Sequence, residues 1–221
     1  GPPRRMESYD ISNQGADDIV ASMVVYVNAK PLKRDYRHFK LKDMAGPDDY
    51  ASMEQVLTRR FKRYLEGDEK FAEKPDLLLI DGGENHAKVA LRVLEEMGLR
   101  IPVFGMVKDE RHRTRALVTP DGREIGIQSN QAVFSLIGQI QEETHRFAIE
   151  FHRQQQNQRV RGSVLDKIPG VGEKRRSELL RQFKSVKNIK AASLAELGAV
   201  VPKNTAQAVF DYFHAEGEGQ A

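Results

Sequence analysis

The 221 residues are enough for one ordinary domain plus a small one, and 39% hydrophobic with 30% charged residues fits a soluble globular chain with an extensive solvated surface. No apolar run approaches the ~20 residues of a membrane helix, and no secretory signal is visible. The absence of cysteine excludes disulfides, thiolate metal sites and cysteine nucleophiles, and it fits a cytoplasmic setting. The leading Gly1-Pro2 looks like a tag-cleavage scar, which predicts an excised piece of a longer protein.

In chain order, Arg5 to Ile11 and Ile19 to Val27 read as strands. Asn28 to Pro31 reads as a turn and Lys33 to Leu41 as a third strand, so an antiparallel meander is expected. Gly46 to Asp49 opens a helix with Asp48 as N-cap, and Met53, Val56, Leu57, Phe61, Tyr64 and Leu65 form its apolar stripe. After Pro75, the run Asp76 to Asp81 has the continuous hydrophobicity of a strand buried on both faces. A helix ending at Gly98, a short strand from Pro102 to Val107 and a hairpin from Arg113 to Gly126 follow. A long helix then carries Val133, Ile137, Ile140, Thr144, Phe147 and Phe151. The order predicts an α/β mixed sheet with helices on both faces. The polar stretch from His152 to Gly162 marks a boundary, giving a first domain over 1–156, a linker over 157–162, a small all-α domain over 163–215 and a disordered tail over 216–221.

Asp10 and Asp81 each end an apolar strand and are followed by turn residues. In open α/β sheets the crevice beyond the strands' carboxyl ends is where sites form. Singly, each aspartate reads more simply as a turn cap. As neighbours, the two carboxylates would repel unless a cation lay between them, which suits Mg2+ or Mn2+. Asp49 would complement the first helix's dipole whatever else it does. His145, at the edge of the long helix's stripe with His152 two turns on, reads as structural unless the fold brings it to the carboxylates.

The charge is unevenly spread. From Arg159 to Lys190 there are ten Lys and Arg against three acids, +7 within an overall +3, so the remainder carries −4. A polyanion would be held at this end, although a solvated basic helix face has the same composition. Ile168-Pro169-Gly170-Val171-Gly172 followed by Glu173-Lys174-Arg175-Arg176 narrows the choice. Gly170 and Gly172 would leave backbone N–H groups exposed beside a helix N-terminus, with Lys174, Arg175 and Arg176 adding charge, and that arrangement suits a phosphate. A second hairpin is expected between helices at 193–197 and 205–213, but it lacks the glycine pair and would bind through Lys203 if at all.

With these residues the chain resembles the C-terminal half of the bacterial UvrC excinuclease family. The resemblance rests on Tyr-Asp-Ile-Ser-Asn at 9–13, Val-Ala-Ser-Met-Val-Val at 20–25, Asp-Tyr-Arg-His-Phe-Lys at 35–40 and Asp-Asp-Tyr-Ala at 48–51. It continues with Leu-Ile-Asp-Gly-Gly at 79–83, Thr-His-Arg-Phe-Ala-Ile at 144–149 and Pro-Gly-Val-Gly-Glu-Lys-Arg-Arg at 169–176. It implies an RNase-H-like nuclease domain making the 5′ incision of nucleotide excision repair, and a tandem helix-hairpin-helix module holding DNA. It further implies that Asp10 and Asp81 bind the metal, that His145 stands where related folds use another carboxylate, and that Asp49 is a further acidic position. UvrB, the companion component of the excinuclease, would be met through regions absent here. The family's usual Asp-Gly-Gly-Lys-Gly-Gln reads Asp-Gly-Gly-Glu-Asn-His at 81–86. A non-catalytic DNA-binding module is the rival reading. A nucleotide-binding domain is a weaker one, since no glycine-rich phosphate fingerprint follows a strand.

Overall fold

The computed structural model describes residues 1–12, 19–41 and 48–215, apart from the side chains of 157–163. Asn13, Gly46, Pro47 and the expected tail at 216–221 lie outside the described residues. The chain divides into two compact units, Gly1–His152 and Arg153–Ala221.

The first unit is built on strands β1 (Arg5–Ser12), β2 (Ile19–Val27), β3 (Lys30–Pro31), β4 (Arg37–Leu41), β5 (Leu77–Ile80), β6 (Val103–Lys108), β7 (Thr114–Val118) and β8 (Glu124–Gly126). They form one sheet in the order β3-β2-β1-β5-β6-β7-β8, with β4 also pairing β2. β1 lies antiparallel to β2 and parallel to β5, and β5 lies parallel to β6. The expected mixed sheet is therefore present. The third strand differs from expectation: Lys33–Asp35 is a 3-10 turn, which leaves only β4 of it, while Lys30–Pro31, expected within a turn, pairs as β3.

Helix α1 (Asp49–Leu65) starts where expected, Asp48 Oδ1 accepting from the N–H groups of Tyr50 and Ala51 at 3.0 and 3.1 Å. Its stripe buries Met53, Val56, Leu57 and Phe61, but Leu65, assigned to that stripe, is 54% exposed. Helix α2 (Glu84–Glu96) buries Ala87, Ala90, Val93 and Leu94 and closes at Gly98 with φ +72°. Helix α3 (Gln131–Gly162) continues through the polar stretch expected as a bridge. Among the described residues no helix is long and apolar enough to cross a membrane.

Alternation along β1 assigns the layers. Arg5, Glu7 and Tyr9 face α1, from which Arg60 bonds both Glu7 oxygens, while Ser8 and Ser12 face α3 through Thr144 and His152. Helices thus cover both faces, and Asp10 lies between Ser8 and Ser12 on the α3 side.

The second unit holds α4 (Glu173–Phe183), α5 (Val186–Ala191), α6 (Leu194–Gly198) and α7 (Lys203–Ala215) around Leu165, Ile168, Leu179, Ile189, Leu197 and Val209. Helix α5 has no counterpart in the sequence pattern, being six residues long with Ser185 as its cap.

Candidate active site

The parallel β1–β5 pair sets the two aspartates side by side. The ladder runs Tyr9 opposite Ile80, and the next bond has the Asp81 N–H donating to Tyr9 O at 2.9 Å. Asp10 and Asp81 thus end two adjacent parallel strands, where their like charges repel. Burial, then the Asp81 charge, pushes the Asp10 carboxyl up to about 7, with Lys108 opposing and Asp49 adding a smaller push in the same direction. Asp49 itself is exposed in the first turn of α1. The structure therefore brings Asp10, Asp81 and Asp49 into one electrostatic neighbourhood.

The cation that answers these charges is a residue that sequence reasoning missed. Lys108 Nζ stands 2.7 Å from Asp81 Oδ1, the lysine side chain 32% and the aspartate 10% exposed. Lys108 ends β6, and an irregularity in the β6–β7 register falls between Val107 and Lys108, a feature that re-aims a side chain at a strand end. The crevice rule applied to Asp10 and Asp81 would have found Lys108 had β6 been extended by one residue. Gly105, also on β6, is needed for the approach of the Asp81-Gly82-Gly83 turn: a Cβ there would lie 2.7 Å from Gly82 O and 3.0 Å from Gly83 O.

This donor set suits a hard divalent cation, being two carboxylates beside each other, largely buried, with an ammonium group already answering their charge. Among the described residues no group of three His, Asp or Glu side chains is gathered as a metal cage. Asp10 and Asp81 would therefore share an ion with water or substrate oxygens.

His145 is exposed on α3 and lines a groove of about 730 Å3 together with Lys108, Arg111, His112 and Arg113. Lys108 thus borders both the carboxylate pair and the groove that holds His145. His152, two turns along, is buried and structural: its Nε2 lies 2.6 Å from Ser12 Oγ, and burial lowers its pKa. Glu84, which stands where the resembled motif has Lys, forms an ion pair with Lys88 at 2.9 Å in the first turn of α2, where an acid favours the helix dipole.

In the second unit Gly170 takes φ +87° and Gly172 caps α4, forming the expected tight turn. Two of the three basic residues assigned to phosphate are engaged internally. Arg175 Nη1 donates to Gly170 O at 2.7 Å and to Thr205 Oγ1 at 2.9 Å, which ties the first hairpin to α7. Arg176 pairs with Asp166 at 2.6 Å. Lys174 is exposed at the start of α4, and Lys203 is exposed as the first residue of α7.

A mixed sheet of this order, with paired aspartates at neighbouring strand ends and a helix-hairpin-helix unit after it, defines an RNase-H-like nuclease. The chain belongs to the UvrC RNAse H endonuclease domain family, whose pattern matches residues 1–149, and a helix-hairpin-helix motif matches residues 167–220. Similar curated proteins are the UvrABC system protein C of Thermoanaerobacter sp. (strain X514), 48% identical over 95% of this chain and 36% of that protein, and that of Clostridium novyi (strain NT), 46% identical over 96% and 36%. The chain therefore spans about a third of the length of the curated relatives it matches. Among solved structures, human ENDOV is similar at 16% identity and a TM-score of 0.36, over 56% of this chain and 62% of that one.

Proposed function

We propose that this chain hydrolyses a phosphodiester of a DNA strand, with Asp10 and Asp81 holding Mg2+ or Mn2+, and that in a full-length protein of the cytoplasm it makes the 5′ incision of nucleotide excision repair. The juxtaposition of Asp10 and Asp81 at the ends of β1 and β5 is the observation that supports the reading most. A divalent ion at such a pair supplies Lewis acidity toward a phosphate oxygen and a more acidic bound water. Lys108, displaced from Asp81, would meet the non-bridging phosphate oxygens. Asp49 would orient the approaching water, and His145 would give a proton to the leaving 3′-oxygen. The helix-hairpin-helix unit would hold backbone phosphates through the Gly170–Gly172 turn, Lys174 and Lys203, contacts that position without reading sequence. Arg175 and Arg176 would support that turn. Binding of UvrB would belong to other parts of the full-length protein.

The test is nicking of a labelled duplex containing a single-strand junction, with Mn2+, Mg2+ or EDTA, by the wild type and by Asp10→Asn and Asp81→Asn. Metal-dependent cutting that disappears in both variants while binding persists is the expected result. Undiminished cutting by both variants would sink the assignment. The rival, a non-catalytic DNA-binding module, draws on the Lys108–Asp81 pair and the lack of a three-residue cage among the described residues. It predicts binding with no cutting under any metal.

A further inference from the structure

We propose, resting on the nuclease reading above, that the groove between the β6–β7 turn and α3 is the subsite that takes the DNA strand on one side of the cleaved phosphate. Gly138 is the starting point. It stands inside α3, where glycine is the poorest helix former after proline. Yet among the described residues nothing beyond its own helix turn lies within 4 Å of where its Cβ would be, so no internal packing requires a bare backbone there. Gly138 lines the groove, and what a missing side chain leaves at that point is room for a ligand from outside.

The opposite wall is basic and fixed in place. Lys108, Arg111 and Arg113 line the groove, against one carboxylate, Glu142. Arg113 shares its charge with Asp109 at 3.4 Å, on a side chain 57% exposed. Asp109 Oδ1 accepts from the N–H groups of Arg111 and Arg113 at 2.9 Å each, which sets the turn. Gln141 of α3 then pins the turn to the helix: its Oε1 accepts from Thr114 N and Oγ1 at 2.8 and 2.7 Å, and its Nε2 donates to His112 O at 2.7 Å. These bonds hold His112 at φ +60°, and the walls are spaced before any ligand arrives.

Two features choose the occupant. Arginine and lysine along one wall suit a run of phosphates. Lys108 belongs to that wall and also sits 2.7 Å from Asp81, so a strand lying in the groove passes directly to the carboxylate pair. A sugar–phosphate backbone would lie against α3 at Gly138 while Arg111 and Lys108 hold successive phosphates.

The test uses the whole chain and a strand-labelled duplex with a single-strand junction. Gly138→Leu puts a good helix former into open space, so its melting temperature should equal or exceed that of the wild type. Arg111→Glu reverses a phosphate-binding charge on an exposed turn. Each should slow nicking at sub-saturating DNA by about tenfold or more without loss of folding. A photo-crosslinking residue at Gln139, exposed on the groove rim, should join the labelled strand in EDTA, and Arg111→Glu should suppress that product. Wild-type nicking by both variants, or DNA that stays bound without crosslinking at Gln139, overturns the groove assignment and leaves the nuclease reading standing. If the wild type cuts under no metal, the nuclease reading fails and the crosslink alone decides the groove.

Discussion

Gly105 has no room for a side chain, because the turn that carries Asp81 rests on it with Gly82 O 2.7 Å from the position of a Cβ. Gly105→Ala must lift that turn or bend β6, and either movement separates Asp81 from Asp10. The expected outcome is a nicking rate lowered roughly a hundredfold, with a stability loss of only about 1–3 kcal/mol in urea titration. A variant that cuts normally would mean the turn's height is irrelevant. His38 makes a second argument at this scale. Its ring stacks on Phe147 at 3.7 Å, its Nδ1 lies 3.2 Å from Ser22 Oγ, and Phe151 stands 4.7 Å away. Burial pushes the imidazole down to about 4, His152 adds to this and Glu150 opposes it. The unfolded chain takes up that proton near 6.5, so it binds more protons than the folded one between about pH 6.5 and 4. Stability is therefore full above pH 6.5 and falls as the pH drops toward 4. Urea midpoints of wild type and His38→Gln from pH 4.5 to 7.5 check this, since the variant should lack that part of the decline. Asp10 and Asp81 were legible because a carboxylate after an apolar run announces a strand end. Lys108 was not, since its aim depends on the local irregularity of β6.

Among elements, β1 explains most of what the sequence concealed. Its two faces carry different chemistry, Ser8, Asp10 and Ser12 toward α3 and Arg5, Glu7 and Tyr9 toward α1, so no hydrophobic alternation reveals its central place in the sheet. The α1 face is a buried charge cluster. Arg60, with no exposed surface, donates to both oxygens of Glu7 at 3.1 and 2.9 Å and to the carbonyls of Phe71 and Glu73 at 2.9 and 2.6 Å. Arg5 and Tyr9 complete it on Glu7 at 3.0 and 2.7 Å. Although burial works against its charge, Glu7 keeps the Arg60 guanidinium pKa above its ordinary value. Arg60→Leu leaves Glu7 and two carbonyls without this partner, and a loss of about 3–5 kcal/mol is expected in chemical denaturation. A loss below about 1 kcal/mol would show that Arg5 and Tyr9 suffice for Glu7. The stripe of α1 was legible by its spacing, except that the periodicity assigned Leu65 inward and was silent about Arg60. Burial of an arginine is decided by a partner on another element, which local pattern does not carry.

For the whole molecule, the asymmetry of charge was legible from the count alone, but the division of labour among the basic residues was not. The segment from Arg159 to Lys190 carries +7 against −4 elsewhere, so most of the DNA affinity is expected to reside in the second unit, with the basic groove of the first unit adding a smaller share. Within that unit, Arg175 and Arg176 read like phosphate ligands in a row with Lys174. Yet α-helical spacing turns Arg175 toward Gly170 O and Thr205 and Arg176 toward Asp166. Counterion release separates the two kinds of residue. Removing a phosphate-binding charge lowers the slope of log affinity against log salt by about 1, whereas removing a structural arginine lowers stability and leaves the slope to the other cations. Lys174→Ala and Lys203→Ala should each flatten the slope by about 1 in anisotropy titrations between 50 and 200 mM salt. Arg175→Ala should instead cost about 1.5–3 kcal/mol of stability as its charge-assisted bonds disappear. Asp10→Asn should leave the slope unchanged and raise stability, because it removes a buried carboxyl that Asp81 repels. An unaltered slope for Lys203→Ala alone would assign the second hairpin a packing role, consistent with its missing glycine pair. An unaltered slope for both lysines would move the DNA-binding face away from the hairpin turns.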